Sequence, residues 1–516
     1  MAERLVPKGC FDIPDLARFI PRRLKPWIFV IFVLIIQFSG GVYLAAATDM
    51  VGDKALMSQD IMMAGYASLI GMSLNFAVMF RIKFRFSTRT QLLSACAVLI
   101  AANIICAITD NVAVIVASCL AAGWFRMQGT FACNSTIQLW LTPYRDMSVF
   151  FCFVYIIVDG MIQLSGIAAV YSAFFAQWQY MQWITCGLLA LEMTAVAALL
   201  HPVRSPLYIP LLGIDWIGSI LWGISMLCFT FICVYGNYFD WWDAFEIRCV
   251  AVIGLCALLI NLWRASFLRH PYISFMAMKN RNVIRASVIY LIFFTMMATE
   301  HVFEHSYASE ILGFDSTNLI DLNWYVFMGI IVGVLFTYFT FALRKWRYKT
   351  MTLISFSLAA GYLAWFYFGI GFGVEKEALF IPLFLRGMAS VIVSIVFLTS
   401  IVQSGLPFMV FPQALTINGF TGAVLGATFG PALVGEWFNH TVTANIEAIG
   451  MVPPSAMVLA MKEIYGWLLI GAILFIMIVA VSYGPLRPFA IFPKWKTIRR
   501  SVKQFVKPLL RRELPR

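Results

Sequence analysis

Eight ionisable side chains lie within long apolar stretches: Arg126, Asp159, Glu192, Glu300, His301, Glu304, His305 and Arg386. A charged group at bilayer depth is expensive unless it meets a partner or water, so each one is a candidate for solute binding or proton transfer. Arg126 is followed in the same run by Gln128, Asn134 and Gln138, a set suited to lining a polar solute path. It can bind an anionic solute or act on a nearby carboxyl; the competing reading is a structural ion pair. Asp159, with Gln163 about one turn on, has the chemistry of a proton carrier, because a carboxyl between two environments loads in one and releases in the other. Glu192 and Arg386 fit the same cavity-lining set, with local pairing as the alternative.

The stretch Glu300-His301-Val302-Phe303-Glu304-His305 is the densest ionisable cluster in any apolar run. At helical spacing it puts His301 and His305 on one face and Glu300 and Glu304 on an adjacent one. Three readings stand: a proton relay or solute-binding cluster, a polar helix end without a role, and an H-x-x-E-H metallopeptidase match that no soluble catalytic domain supports. Gly422, Gly426 and Gly430, followed by Pro431, place small residues every fourth position, a pattern for close helix packing or bending. There is no Walker loop, no haem attachment or bis-histidine pattern and no CxxC pair for zinc, so neither a metal nor a cofactor is expected.

The elements that must position these groups follow from the composition. Of 516 residues, 61% are apolar and 12% charged, about half the charged share of an ordinary soluble domain. That excludes a soluble enzyme and a disordered chain. Runs near 20 residues, long enough to cross the hydrocarbon core, recur at 27–48, 61–80, 91–109, 112–140, 148–172, 181–200, 212–235, 247–264, 285–305, 322–343, 351–371, 378–402, 410–437 and 465–484, predicting fourteen transmembrane helices. With both termini cytoplasmic, 31 of the 37 Lys and Arg fall on the inner side, as the positive-inside rule requires. Arg81, Lys83, Arg85 and Arg89 form the inner loop after the second helix, and Arg344 to Lys349 the inner loop after the tenth. The net charge of +12 therefore borders the membrane and implies no nucleic acid. The tail spaces Trp495, Ile498, Val502, Phe505 and Leu509 among basic residues, an amphipathic pattern for the anionic lipid surface.

The halves repeat weakly, as in secondary transporters. Trp124-Phe125-Arg126-Met127-Gln128-Gly129 and Phe384-Leu385-Arg386-Gly387-Met388-Ala389 each put one Arg near a Gly in the fourth helix of a six-helix set. The expected organisation is a cytoplasmic segment at 1–26, a six-helix bundle at 27–200, two inserted helices at 212–264, a second six-helix bundle at 285–484, and a basic tail at 485–516.

Ile214-Asp215-Trp216-Ile217-Gly218, the run Gly236 to Trp242, Arg269-His270-Pro271 and Lys279-Asn280-Arg281-Asn282 follow in an order that resembles the fourteen-helix drug:proton antiporters of the major facilitator superfamily, the EmrB/QacA type. Leu385-Arg386-Gly387-Met388 resembles that family's C-terminal bundle. Asn75 to Arg89 keeps the basic residues of its inner-loop motif but lacks the acidic and glycine positions. Ser165 to Val170 lacks the proline and most glycines of its fifth-helix motif. The resemblance implies the all-α major facilitator fold, no enzymatic activity, and proton-coupled efflux of drugs or other amphipathic molecules from a bacterial inner membrane. It also implies relatives that work with a periplasmic adaptor and an outer-membrane channel. The missing motif positions favour the rival, a facilitator or symporter for a nutrient or organic anion. A membrane enzyme built on the Glu/His cluster is the third reading.

Overall fold

The computed structural model describes residues 16–17, 20–21, 24–40, 50–52, 56–142, 146–203, 211–408, 410–449 and 452–481. The basic tail and most of the first 26 residues lie outside them. The chain is all-helical, as a bilayer demands, because a helix satisfies its backbone groups within one segment. Its principal helices are α1 (Lys25–Phe38), α2 (Ser58–Phe76 continuing as Met79–Arg85), α3 (Thr88–Ile108), α4 (Val112–Leu141), α5 (Met147–Phe175), α6 (Trp178–Leu199), α7 (Trp216–Tyr235) and α8 (Phe245–Phe267). They continue as α9 (Arg281–Ile311), α10 (Asn318–Leu343), α11 (Tyr348–Gly369), α12 (Lys376–Val402), α13 (Phe411–Glu447) and α14 (Pro453–Val481). Polar residues set several starts: Ser87, Asn111, Asp146, Asp215 and Asn280 each accept from backbone N–H groups of the first turn.

The expectation of fourteen full-length spans is corrected. Among the described residues twelve helices are long and apolar enough to cross a membrane, or thirteen if the bent α2 is one span. The first predicted run reaches only 14 residues as a described helix, about 21 Å at 1.5 Å per residue; residues 41–49 are outside the described set.

Helices α1 and α3–α6 enclose one apolar core, with Phe29, Val33, Leu92, Leu99, Ile137, Ile157 and Leu189 buried in it, and α2 packs against α4 beside it. Helices α9–α14 form the other bundle. The bundles meet reciprocally: α5 packs on α10, and α2 on α13, so the fifth helix of each set crosses the second of the other. Helices α7 and α8 form a hairpin whose first member lies across α2 and α13, on the seam. Asp215 ties this hairpin together, capping α7 through Gly218 N at 2.9 Å and pairing with Arg264 at 2.5 Å, while Asn261 donates to Gly218 O at 3.2 Å.

Glycines carry the closest crossings, and they do so at matching places. A Cβ at Gly123 of α4 would lie 2.7 Å from the Ser68 carbonyl carbon of α2, and one at Gly71 would lie 3.0 Å from Trp124 N. In the second bundle a Cβ at Gly387 of α12 would lie 3.2 Å from the Val326 carbonyl carbon of α10, and one at Gly329 would lie 3.2 Å from Met388 N. In each bundle the second and fourth helices thus touch backbone to backbone, next to the arginine each fourth helix carries.

Helix α2 bends by 64° between its two pieces, and the cause is local. Val78 N, which an unbroken helix would aim at Leu74 O, donates to Asn75 O at 3.0 Å, and the freed Leu74 carbonyl accepts from the Tyr272 hydroxyl. Such an inserted side-chain group is a standard origin of a sharp kink. In α13 the glycine stripe produces a π-helical stretch, Phe420–Gly426, ahead of Pro431.

Candidate functional site

In the C-terminal bundle, Arg386 projects from α12 into the interior with 5% of its surface exposed. Its Nη1 lies 2.7 Å from Glu304 Oε2 and 3.2 Å from Glu300 Oε1. Glu304 Oε1 also accepts from the Tyr362 hydroxyl of α11 at 2.7 Å, and Tyr362 lies 3.3 Å from Thr299 Oγ1. Helix α9 is irregular there, broken into Thr299–Val302, Glu304–Ser306 and a π-helical Tyr307–Ile311, and this turns both glutamates to one guanidinium. His301 and His305 are exposed on the other side, and His305 Nδ1 reaches only Ser309 Oγ, at 3.3 Å. The predicted relay therefore divides into a paired carboxylate–arginine cluster and two peripheral imidazoles. No group of three or more potential metal ligands occurs among the described residues.

In the N-terminal bundle, Arg126 lies on α4, also beside the crossing glycine but about one turn further along the helix, with different company. It is 3% exposed, its Nε has no partner, and its Nη2 contacts only Met72 Sδ, at 4.0 Å. A Cβ at Gly40, just past the end of α1, would overlap Nη1 and lie 2.8 Å from Cζ, so the guanidinium rests against bare backbone. No ion pair joins it to Asp159.

Asp159 is half-buried on α5 at the seam. Tyr155, one turn before it, and Tyr290 of α9 lie within its electrostatic reach, and Tyr290 OH lies 3.1 Å from Ser394 Oγ of α12. The carboxyl thus faces the second bundle through two phenols and a hydroxyl, with no cation against it among the described residues. Gln163 is half-buried one turn on.

The other predicted positions scatter. Glu192 is placed in the core of the N-terminal bundle, away from the seam, 1% exposed, with both carboxyl oxygens unpartnered and Cys96 and Cys133 nearby. Gln128 donates to Gln91 at 2.7 Å, Gln138 to Met147 Sδ at 3.2 Å, and Asn134 is buried with its Oδ1 unpartnered. Gly422, Gly426 and Gly430 lie against Tyr290, Phe294 and Ala298 of α9, so the stripe is a packing surface. In the basic loop Lys83 donates to Thr88 Oγ1 and Ala132 O, both at 3.1 Å, and Arg89 to Ala197 O at 2.9 Å. Arg81 sits against Gly213, and Arg85 is exposed.

Composition gave no warning of what closes the seam at the basic end. Phe80 stacks edge-on with Phe131 at 4.9 Å and with Phe408 at 4.8 Å, while Phe84 and Phe411 complete the group. Phe80, Phe84 and Phe131 belong to the first bundle, Phe408 and Phe411 to the second. Beside them Lys345 Nζ reaches Asp146 Oδ2 at 2.5 Å, from the α10–α11 loop to the cap of α5. Tyr362, Gly40 and this aromatic group are candidate-site residues the sequence did not single out.

No family model and no curated protein matches the chain. Solved structures do. A peptide transporter (POT) crystallised with sulfate aligns with TM-score 0.61 at 14% identity, over 92% of this chain and 97% of its own. An auto-inhibited POT family peptide transporter gives 0.55 at 13% identity, over 89% and 97%. The nucleoside transporter NupG gives 0.56 at 12% identity, over 87% and 99%. The chain shares the fold of these transporters.

Proposed function

We propose that this chain is a secondary active transporter in which the two bundles rock about the seam and Asp159 carries the coupling proton. The single observation behind this reading is Asp159 itself: a half-buried carboxyl without a counter-ion, at the junction where α5 meets α9 and α12. Rocking changes what faces that carboxyl, and a shift between states requires a differential interaction of this kind. In the conformation described, the aromatic group and the Lys345–Asp146 pair hold the bundles together at the basic end. By the positive-inside rule that end is cytoplasmic.

The solute is a small organic molecule. Resemblance to the drug antiporters favours export, and the unpaired Arg126 favours the rival, uptake or exchange of a nutrient or organic anion. An adaptor and an outer-membrane channel have only that resemblance behind them. In liposomes, solute added to the wild type is expected to move protons, and Asp159→Asn to abolish this at least tenfold while leaving solute exchange without a gradient intact. Equal proton movement in the two proteins would remove Asp159 from the coupling.

A further inference from the structure

We infer that Arg126 receives an acidic group of the transported solute, so that the solute is an organic anion whose carboxylate or phosphate supplies the counter-charge. This rests on the transporter reading. The fold provides an internal comparison: Arg386, buried on the fourth helix of the other bundle about one turn from the matching register, is met by two carboxylates at 2.7 and 3.2 Å, and Arg126 by none among the described residues.

A structural brace would show acceptors instead. Lys83 and Arg89, which do brace the inner end, donate to the carbonyls of Ala132 and Ala197. Arg126 leaves Nε unpartnered at 3% exposure and has only a thioether near Nη2. A guanidinium keeps its charge under physiological conditions and presents a planar fork that matches a carboxylate or phosphate. Burying it without a partner is costly unless a ligand completes it.

The surroundings are also built to leave that fork free. Gly40 supplies no side chain where the guanidinium lies, so the fork reaches past the end of α1 instead of packing beneath it. Gln37, one turn earlier on α1, is 1% exposed; its Nε2 is fixed to Thr130 Oγ1 at 2.7 Å and its Oε1 is unpartnered. Gln37 Oε1 and Arg126 Nε are thus two buried unpartnered polar atoms on two helices of one bundle, and of the two only the guanidinium presents donors to an anion. Such a site suits a molecule with one acidic end and a greasy body.

The test uses the full chain in liposomes with matched probes that differ only in charge: 4-phenylbutyrate against its primary amide, and phenethyl phosphate against phenethyl alcohol. Thermal stabilisation and counterflow are both read. The acid of at least one pair is expected to raise the melting temperature and to exchange, with its neutral partner at least tenfold weaker; the arm that responds separates carboxylate from phosphate. Arg126→Gln should erase the preference while melting no lower than wild type, and Arg126→Lys should retain part of it. Gly40→Ala, which displaces the guanidinium without removing it, should weaken the acid by a similar factor. If neutral probes or lipophilic cations exchange and Arg126→Gln leaves them and the acids unchanged, the anion inference falls and the transporter reading stands. If nothing in any class moves or binds, both fall.

Discussion

Each fourth helix buries one arginine, Arg126 three residues after its crossing glycine and Arg386 one residue before, and their surroundings differ. Arg386 is locked by Glu300 and Glu304, with Tyr362 holding the second carboxylate in place. Arg126 is equally buried and has no such partners among the described residues. Both fourth helices cross a second helix on glycine, so the repeat has kept the backbone geometry in the two halves. It has kept the counter-ions in only one. A duplicated scaffold can therefore use one copy of a charge to hold itself together and leave the other for a ligand.

The widest test of this difference is stability. Arg386→Gln strands the Glu304 carboxylate in the interior and leaves Glu300, one-third exposed, without its cation; breaking a buried pair by removing one partner costs about 3–5 kcal/mol. Melting in detergent is expected to fall accordingly, and Arg386→Gln combined with Glu304→Gln and Glu300→Gln to recover most of the loss. Arg126→Gln should have the opposite sign, leaving stability unchanged or raised, because it removes an uncompensated charge. If the two single substitutions destabilise equally, the comparison is broken.

The shared part of the repeat has its own test. Gly123→Ala and Gly387→Ala each force a methyl against a facing backbone, 2.7 and 3.2 Å from a carbonyl carbon, and overpacking of this kind costs about 1–3 kcal/mol. Comparable losses in the two bundles would sharpen the case for a common α2–α4 and α10–α12 joint, with Gly123 the more sensitive. A loss in one alone would mean that only that crossing is tight.

These contrasts show what was legible in the sequence. Apolar run length and the side preference of Lys and Arg placed the helices, because the bilayer imposes both constraints on every segment. The matching arginines were visible for the same reason, as charges stand out in apolar runs. Their pairing was not, since it depends on how α9 breaks between Thr299 and Tyr307 and so aims Glu300 and Glu304 together. Glu192 looked like a cavity residue by type alone; the rotation of α6 puts it instead among Cys96 and Cys133 of its own bundle. The inner aromatic group escaped notice because phenylalanine is common everywhere in this chain, 46 residues in all, and only tertiary proximity distinguishes Phe80 or Phe408 from lipid-facing neighbours.

That aromatic group supports a smaller prediction about how the halves meet. Phe408→Ala removes the edge-on contact with Phe80 across the seam and the weaker one with Phe84, each worth about 0.5–1.5 kcal/mol. Spin labels at Arg85→Cys and Arg347→Cys in a cysteine-depleted chain should then show a larger population separated at the basic end. An unchanged distance distribution would mean that the helix crossings alone hold the bundles.

The smallest effect concerns the ionic contact beside it. Burial works against the Asp146 carboxylate, but hydrogen bonds from Lys345 and Ser148 outweigh it and hold the carboxyl below its ordinary value of 3.8. A group so depressed contributes fully above its unfolded value, and the contribution is lost as pH falls through the lower folded one. Both side chains are about one-third exposed, so solvent screening limits the pair to about 0–1 kcal/mol. Lys345 also holds a left-handed backbone, φ 55°, a conformation glycine adopts without strain. Lys345→Gly should therefore relieve the backbone while losing the pair, and Lys345→Ala should lose the pair alone. With the same spin labels, acidification below the ordinary carboxylate value should widen the basic end in the wild type and do less in either variant. Equal acid responses in all three proteins would assign the latch to the phenylalanines and leave the ion pair no part in it.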